Sequence, residues 1–162
     1  RFVALPEGLD GAAYMADAVY QDEHGPLTLR HDYEAIQWLR EHVEGTPVIM
    51  EGHTPAYRWG SRYSVYTGLP TVIGWEWHQK QQRWRYQAEV DRRIQDVRRF
   101  YTDPDPQAAQ EIARRYGVRY VVVGELERAT YGPAGLAKFE HDLPWLTPVY
   151  RNEAVTIYQV RP

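Results

Sequence analysis

The run Arg119-Tyr120-Val121-Val122-Val123 narrows the choice of fold more than any other part of this chain. Three consecutive valines leave no polar face, so a strand made of them has to be covered on both sides. A helix-forming segment, 106–116, leads into it through a tight turn at Gly117. Asp105 can cap that helix, and Pro106 suits its first position. A second unit repeats the pattern upstream. In 32–43, Tyr33, Ile36, Leu39 and Val43 recur at helical spacing, with Asp32 placed as N-cap and Gly45 and Pro47 as stop signals. Pro47-Val48-Ile49-Met50-Glu51 then reads as a short buried strand. Helix, tight turn and buried strand, twice over, predict a parallel pair.

The rest fits around that pair. Residues 85–101 form a helix with Tyr86, Val90, Ile94, Val97 and Tyr101 on one stripe. Residues 71–73 read as a short second strand, 133–139 as a short helix, and 62–67 as either helical or extended. Segments 148–150 and 154–160 flank Arg151-Asn152-Glu153 as a closing hairpin. The predicted fold class is α/β. It is a single three-layer-like domain, with a small, mostly parallel sheet flanked by helices and a C-terminal β-hairpin. Residues 1–31 lack a sustained period. Turn chemistry at 5–11, a short helix at 12–18 and a break at His24-Gly25-Pro26 make them an arm, leaving 32–162 as the domain.

Composition removes several function classes. The 162 residues suit one domain, and a net charge of −3 gives no electrostatic footprint for nucleic acid. Cysteine is absent, which excludes disulfides and thiolate metal sites. No apolar run is long enough to span a bilayer. The chain starts at Arg1, so it is expected to be part of something longer.

The stretch 51–85 concentrates Trp59, Trp75, Trp77, Trp84, Tyr57, Tyr63 and Tyr66 beside Glu51, His53, Arg58, Arg62, His78 and Gln79. Rings with polar tips suit surfaces that are partly apolar and partly wet. The stretch is either a ligand-facing surface or a core seam rich in aromatics. Three strand ends lead into one expected crevice: Glu51-Gly52-His53, 74–78 and 124–128. Glu51/His53 and Glu76/His78 are i, i+2 pairs, but neither forms an established metal motif. Glu51, Glu76 and Glu127 supply carboxylates for glycoside cleavage only at suitable separations. No GxSxG and no P-loop occur. Arg62 is read either as a buried cation paired with Glu51 or as a ligand contact. Stacking of Trp and Tyr on sugar or lipid, with polar groups binding hydroxyls or phosphate, is the chemistry this mixture fits.

Residues 63–72 with Gly74-Trp75, His78-Gln79 and Trp84-Arg85 resemble a signature of the YYY family of uncharacterised prokaryotic polytopic membrane proteins. So do Leu9-Asp10-Gly11 with Ala13-Tyr14-Met15, then Arg93, Asp96 and Val97, and the blocks 116–124, Leu126-Glu127-Arg128 with Tyr131, 135–139 and 155–158. The ordered set covers almost the whole chain. Where the family often has Gly-Tyr-Gly-Arg, this chain has Trp59-Gly60-Ser61-Arg62. Where the family often has a Gly-His pair after the Gly-Trp, this chain has Trp77-His78. The family is similar to type C glycosyltransferases, which use lipid-linked sugar donors. The helix, PVIME and TGLPTV also resemble the soluble domain of oligosaccharyltransferases, although Glu51-Gly52-His53 stands where those carry Trp-Trp-Asp-Tyr-Gly.

The resemblance implies an extracytoplasmic soluble domain of a multi-pass cell-membrane protein. Its partners would be its own transmembrane region and a lipid-linked sugar or glycan. It implies no cofactor in this domain and allows a divalent metal in the full-length protein. Catalytic carboxylates would lie outside this chain, so the domain alone is expected to be inactive. The residues expected to bind ligand are Glu51, Arg62, Trp75, His78, Gln79, Trp84, Arg85, Glu127 and Arg128. Two other classes stand beside this reading: a non-catalytic scaffold docking on its own membrane helices or a partner, and a free-standing metal-dependent or carboxylate hydrolase.

Overall fold

A computed structural model describes residues 10–23, 25–55, 58–82, 84–141 and 143–161. A small antiparallel hairpin, β1 (Val19–Asp22) and β2 (Gly25–Thr28), leads into α1 (Leu29–His42) and β3 (Val48–Met50). Then come α2 (Arg62–Thr67), α3 (Glu76–Gln82), α4 (Gln87–Thr102) and α5 (Pro106–Arg115). β4 (Val118–Val123), α6 (Glu125–Tyr131), α7 (Pro133–Leu136), β5 (Leu146–Arg151) and β6 (Thr156–Val160) complete the chain.

β3 and β4 are the expected parallel pair, with Val48 opposite Val118 and Met50 opposite Val121. β6 joins the far side of β4 antiparallel, and β5 closes the edge, giving the order β3-β4-β6-β5. The α/β class, the flanking helices and the closing hairpin are all present. Because the hairpin attaches antiparallel, the sheet is mixed rather than mostly parallel. Alternate side chains of β3 and β4 enter opposite layers. Met50, Val121 and Val123 pack with Val97, Phe100, Tyr101 and Ile112 of α4 and α5. Ile49 and Val122 pack with Ile36, Leu39 and Tyr63 of α1 and α2.

Local chemistry explains where the elements start and stop. Asp105 accepts from the Gln107 amide at 2.9 Å with Pro106 following it, which opens α5 as expected. Gly117 takes φ +62°, a left-handed conformation that closes the helix. The strand expected at 71–73 reduces to one bridge, Thr71 opposite Ile49. Pro70 offers no N–H, and the Val72 carbonyl accepts from Arg93 at 3.1 Å instead of from a neighbouring strand. The arm is more structured than its sequence predicts, since residues 19–28 form the β1–β2 hairpin. The expected turn at 5–11 lies outside the described residues up to position 9, as do His24 and Tyr57. Tyr86, expected on the buried stripe of α4, is 64% exposed, because it precedes the helix in a short 3-10 turn.

Candidate functional site

Parallel β3 and β4 end side by side, and the chain leaves each through a glycine, Gly52 and Gly124. The amides of both donate to one side chain: Gly52 to Oε1 of Glu127 and Gly124 to Oε2, each at 2.9 Å. Glu127 lies in the first turn of α6, three residues beyond Gly124, where a carboxylate can reach back to the preceding amide. That capping makes the departing chain helical. Arg62 then forks onto the same carboxylate, at 3.1 Å from one guanidinium nitrogen and 2.8 Å from the other. Four donors thus fill the roughly four acceptor positions of the group. A Cβ at position 52 would lie 2.9 Å from Glu127 Oε1, and one at 124 would lie 3.1 Å from Arg62, so both glycines make room for the pair.

The far side of Arg62 reaches α1, where its Nε donates to Asp32 at 2.7 Å. Asp32 also accepts from the Trp59 indole at 2.9 Å and the Tyr63 hydroxyl at 2.7 Å. The N-cap role expected of Asp32 is therefore not taken. α1 begins three residues earlier, and the carboxylate serves Arg62 instead. The Arg62 and Glu127 side chains are 0% exposed and Asp32 is 9% exposed. Burial raises the Glu127 carboxyl, but Arg62 and the two glycine amides outweigh it and hold the group below its ordinary value. Burial works against the Arg62 charge, and Asp32 and Glu127 reverse this, keeping it protonated. Charges taken this far from water persist only when paired and fully bonded.

Glu51 does not pair with Arg62. Its carboxyl caps α2, accepting from the amides of Tyr63 at 2.8 Å and Ser64 at 3.2 Å. Burial pushes it up to about 7, against the opposing pull of those bonds and of Arg62. Next in the chain, His53 is clamped by its backbone: the Tyr131 hydroxyl accepts from its amide at 2.8 Å and donates to its carbonyl at 3.1 Å.

Above this buried cluster lies a groove of about 430 Å³ lined largely by rings. Trp59, oriented by its bond to Asp32, stacks with Tyr20 at 5.8 Å and meets Tyr66 at 5.9 Å. Tyr14 closes one end through a 2.6 Å bond between its hydroxyl and that of Tyr66. Trp75 and Arg58 also line the groove, and Val19 and Val65 stand on its rim more than half exposed. Tyr20, Trp59 and Tyr66 are partly buried against the core and leave part of their surface to line the groove.

The residues expected from the sequence divide among different environments. Trp75 lines the groove, and the His78 ring packs 5.5 Å from it. Gln79 lines a neighbouring cleft. Glu51 and Glu127 are buried and engaged in the framework. Arg62 forms part of the groove's floor, its side chain fully buried and bonded to Asp32 and Glu127. Arg85 is exposed. Arg128 turns toward the closing hairpin, donating to the Ala154 carbonyl at 2.6 Å beside the carboxyl end of β4, and lines a separate concavity rather than the groove. The side chain of Trp84 lies outside what is described. Tyr14, Tyr20 and Val65 were missed. Tyr14 comes from the short 3-10 turn Ala13–Ala16 and Tyr20 from β1, both in the arm, and no local sequence signal ties them to 51–85. Among the described residues no three His, Asp or Glu side chains converge as a metal site. Glu51 and Glu127 are both committed to backbone amides, and Glu76 sits near Lys80 on the surface.

The sequence matches no protein-family model and no curated protein. Among solved structures, the fold is similar to the crystal structure of the C-terminal globular domain of an oligosaccharyltransferase from Archaeoglobus fulgidus. The TM-score is 0.51 and the identity 16%, over 79% of this chain and 95% of that one. The likeness is one of fold. No described helix is long and apolar enough to cross a membrane.

Proposed function

We propose that this chain is the extracytoplasmic soluble domain of a multi-pass membrane protein of the type C glycosyltransferase kind, as its resemblance to the YYY family implies. Its task is to recognise a lipid-linked sugar or an acceptor glycan, with catalysis supplied elsewhere in the longer protein. One observation carries the reading: the ring-lined groove of about 430 Å³ built on the strand ends, with Trp59 held in place by the buried ion cluster. The fold shared with an oligosaccharyltransferase globular domain supports the context. Rings in a half-wet groove suit an isoprenoid chain or the apolar face of a sugar. Of the residues expected to bind, Trp75 and His78 stay in this reading as ligand contacts, while Glu51, Arg62 and Glu127 act by holding the groove's framework.

Titration of the chain with farnesyl phosphate, followed by tryptophan fluorescence, tests the groove. Saturable quenching that is lost in Tyr66→Ala and Trp75→Ala supports the reading, and a flat response in the parent chain removes it. The scaffold reading is favoured by a different observation, the exposed apolar rim of Val19 and Val65. If the chain co-purifies with the membrane portion of its parent, and Val65→Asp abolishes this without altering farnesyl phosphate binding, the rim is a docking face.

A further inference from the structure

A second concavity adjoins the groove, with Gly74 lining one and Trp75 the other. It lies between the chain at Thr71, Val72, Ile73 and Gly74 and the start of α4, and encloses about 540 Å³. That is within the usual range for small-molecule sites. Its wall is fixed in place. Glu89 accepts from Arg93 at 2.8 Å and from Arg92 at 2.6 Å, which uses about two of its four acceptor positions. The bond from Arg93 holds the Glu89 carboxyl below its ordinary value, so it is an anion at neutral pH. Arg93 also donates to the Val72 carbonyl and lies over the Tyr116 ring at 5.2 Å.

Around this fixed pair stand groups of complementary kinds. Tyr86 is 64% exposed on the rim, and Gln79 offers an amide. Thr71 lines the cleft with a buried hydroxyl that has no hydrogen-bond partner among the described residues. The charges of Glu89 and Arg93 cancel across the lining, which disfavours a phosphate or a cation as occupant and favours a neutral one. An open ring beside paired donors and acceptors fits a molecule with one C–H face and a hydroxylated edge.

We propose that this cleft is a saccharide subsite, with a neutral pyranose stacked on Tyr86 and its hydroxyls shared among Glu89, Arg93 and Gln79. The inference rests on the carbohydrate reading above, but on residues that do not line the groove.

The test is an amide-resolved NMR titration of the chain with the methyl glycosides of glucose, mannose and galactose, and with N-acetylglucosamine. At least one sugar should shift the amides of Gly74, Gln79, Glu89 and Arg93 with millimolar affinity. Tyr86→Ala should weaken that binding roughly tenfold. Glu89→Gln should weaken it too, with the remaining spectrum unchanged in both variants. No response to any of the sugars, shifts confined to other regions, or equal affinity in the variants overturns the proposal. Farnesyl phosphate separates the two sites. Sugar shifts without fluorescence quenching leave the cleft standing and remove the groove reading, and the converse removes the cleft alone.

Discussion

Replacing Arg62 by methionine removes the cation of the buried cluster while keeping most of its volume. Three bonds of 2.7, 2.8 and 3.1 Å disappear, and two carboxylates with side chains 0% and 9% exposed lose their counter-ion. Breaking a buried pair from one side costs about 3–5 kcal/mol. A domain of this kind has roughly 5–15 kcal/mol in total, so the variant would sit near its limit. Neither carboxylate becomes dispensable. Glu127 still serves the amides of Gly52 and Gly124, and Asp32 still serves Trp59 and Tyr63.

Glu127 can relieve the loss by binding a proton. Burial raises its carboxyl and Arg62 is the largest influence opposing this, so without Arg62 the neutral form gains and the deficit relative to the parent should shrink as pH falls. Urea unfolding followed by tryptophan fluorescence, for parent and variant at about pH 8 and about pH 5, measures this, with the m-value as the check that both unfold alike. Because the difference is taken at each pH, titration common to both proteins cancels. A deficit under about 1 kcal/mol at neutral pH, the size of an exposed ion pair, would refute the reasoning. So would a larger deficit that does not change with pH.

Three other outcomes follow from the same geometry. Glu51 titrates at about 7 in the fold against 4.5 unfolded, so its contribution is fully present below pH 4.5 and is lost as pH rises to 7. This amounts to about 3 kcal/mol, and Glu51→Gln should flatten the stability profile across that window. Glu127, lowered in the fold, acts with the opposite sign, losing its contribution as pH falls below its unfolded value of 4.5. Gly135→Ala should cost about 1–3 kcal/mol in thermal or urea unfolding, because its Cβ would collide with the backbone of Tyr101 and Thr102 at the end of α4. Asp105→Ala should cost about 1 kcal/mol through loss of the α5 cap, and a neutral result would refute that role.

The layers were legible in the sequence where burial imposes a period. Val121-Val122-Val123 and Val48-Ile49-Met50 announce strands covered on both sides, and α1, α4 and α5 carry stripes that no other arrangement would satisfy. The parallel pairing followed from the short turns. Hydrogen bonds between distant residues were not legible. Asp32 has the composition of an N-cap, and nothing local says that a guanidinium 30 residues away claims it. Glu127 looks like a crevice carboxylate, yet it is consumed by two amides and Arg62. The aromatic stretch was recognisable as unusual, but only half of the groove comes from it. Tyr14 and Tyr20 arrive from an arm whose sequence is dominated by turn residues. Gln79 is named only through the family resemblance, and nothing local in the sequence says that Glu89 and Arg93 of α4 line the same cleft.

The cluster at the strand ends also sets an order of events during synthesis. Arg62 finds Asp32 already made, 30 residues behind it, but its second partner lies 65 residues ahead. Until Glu127 leaves the ribosome, the Gly52 amide has only water to bond to, and β3 has no partner strand beyond its single bridge to Thr71 before β4 appears. The first half of the chain therefore cannot settle alone, and α1, α2 and β3 wait as an incomplete layer. Contacts this far apart in sequence are slow to close and tie both halves into one cooperative unit. The groove, which rests on that closure through Asp32 and Trp59, exists only once the last third of the domain has been made.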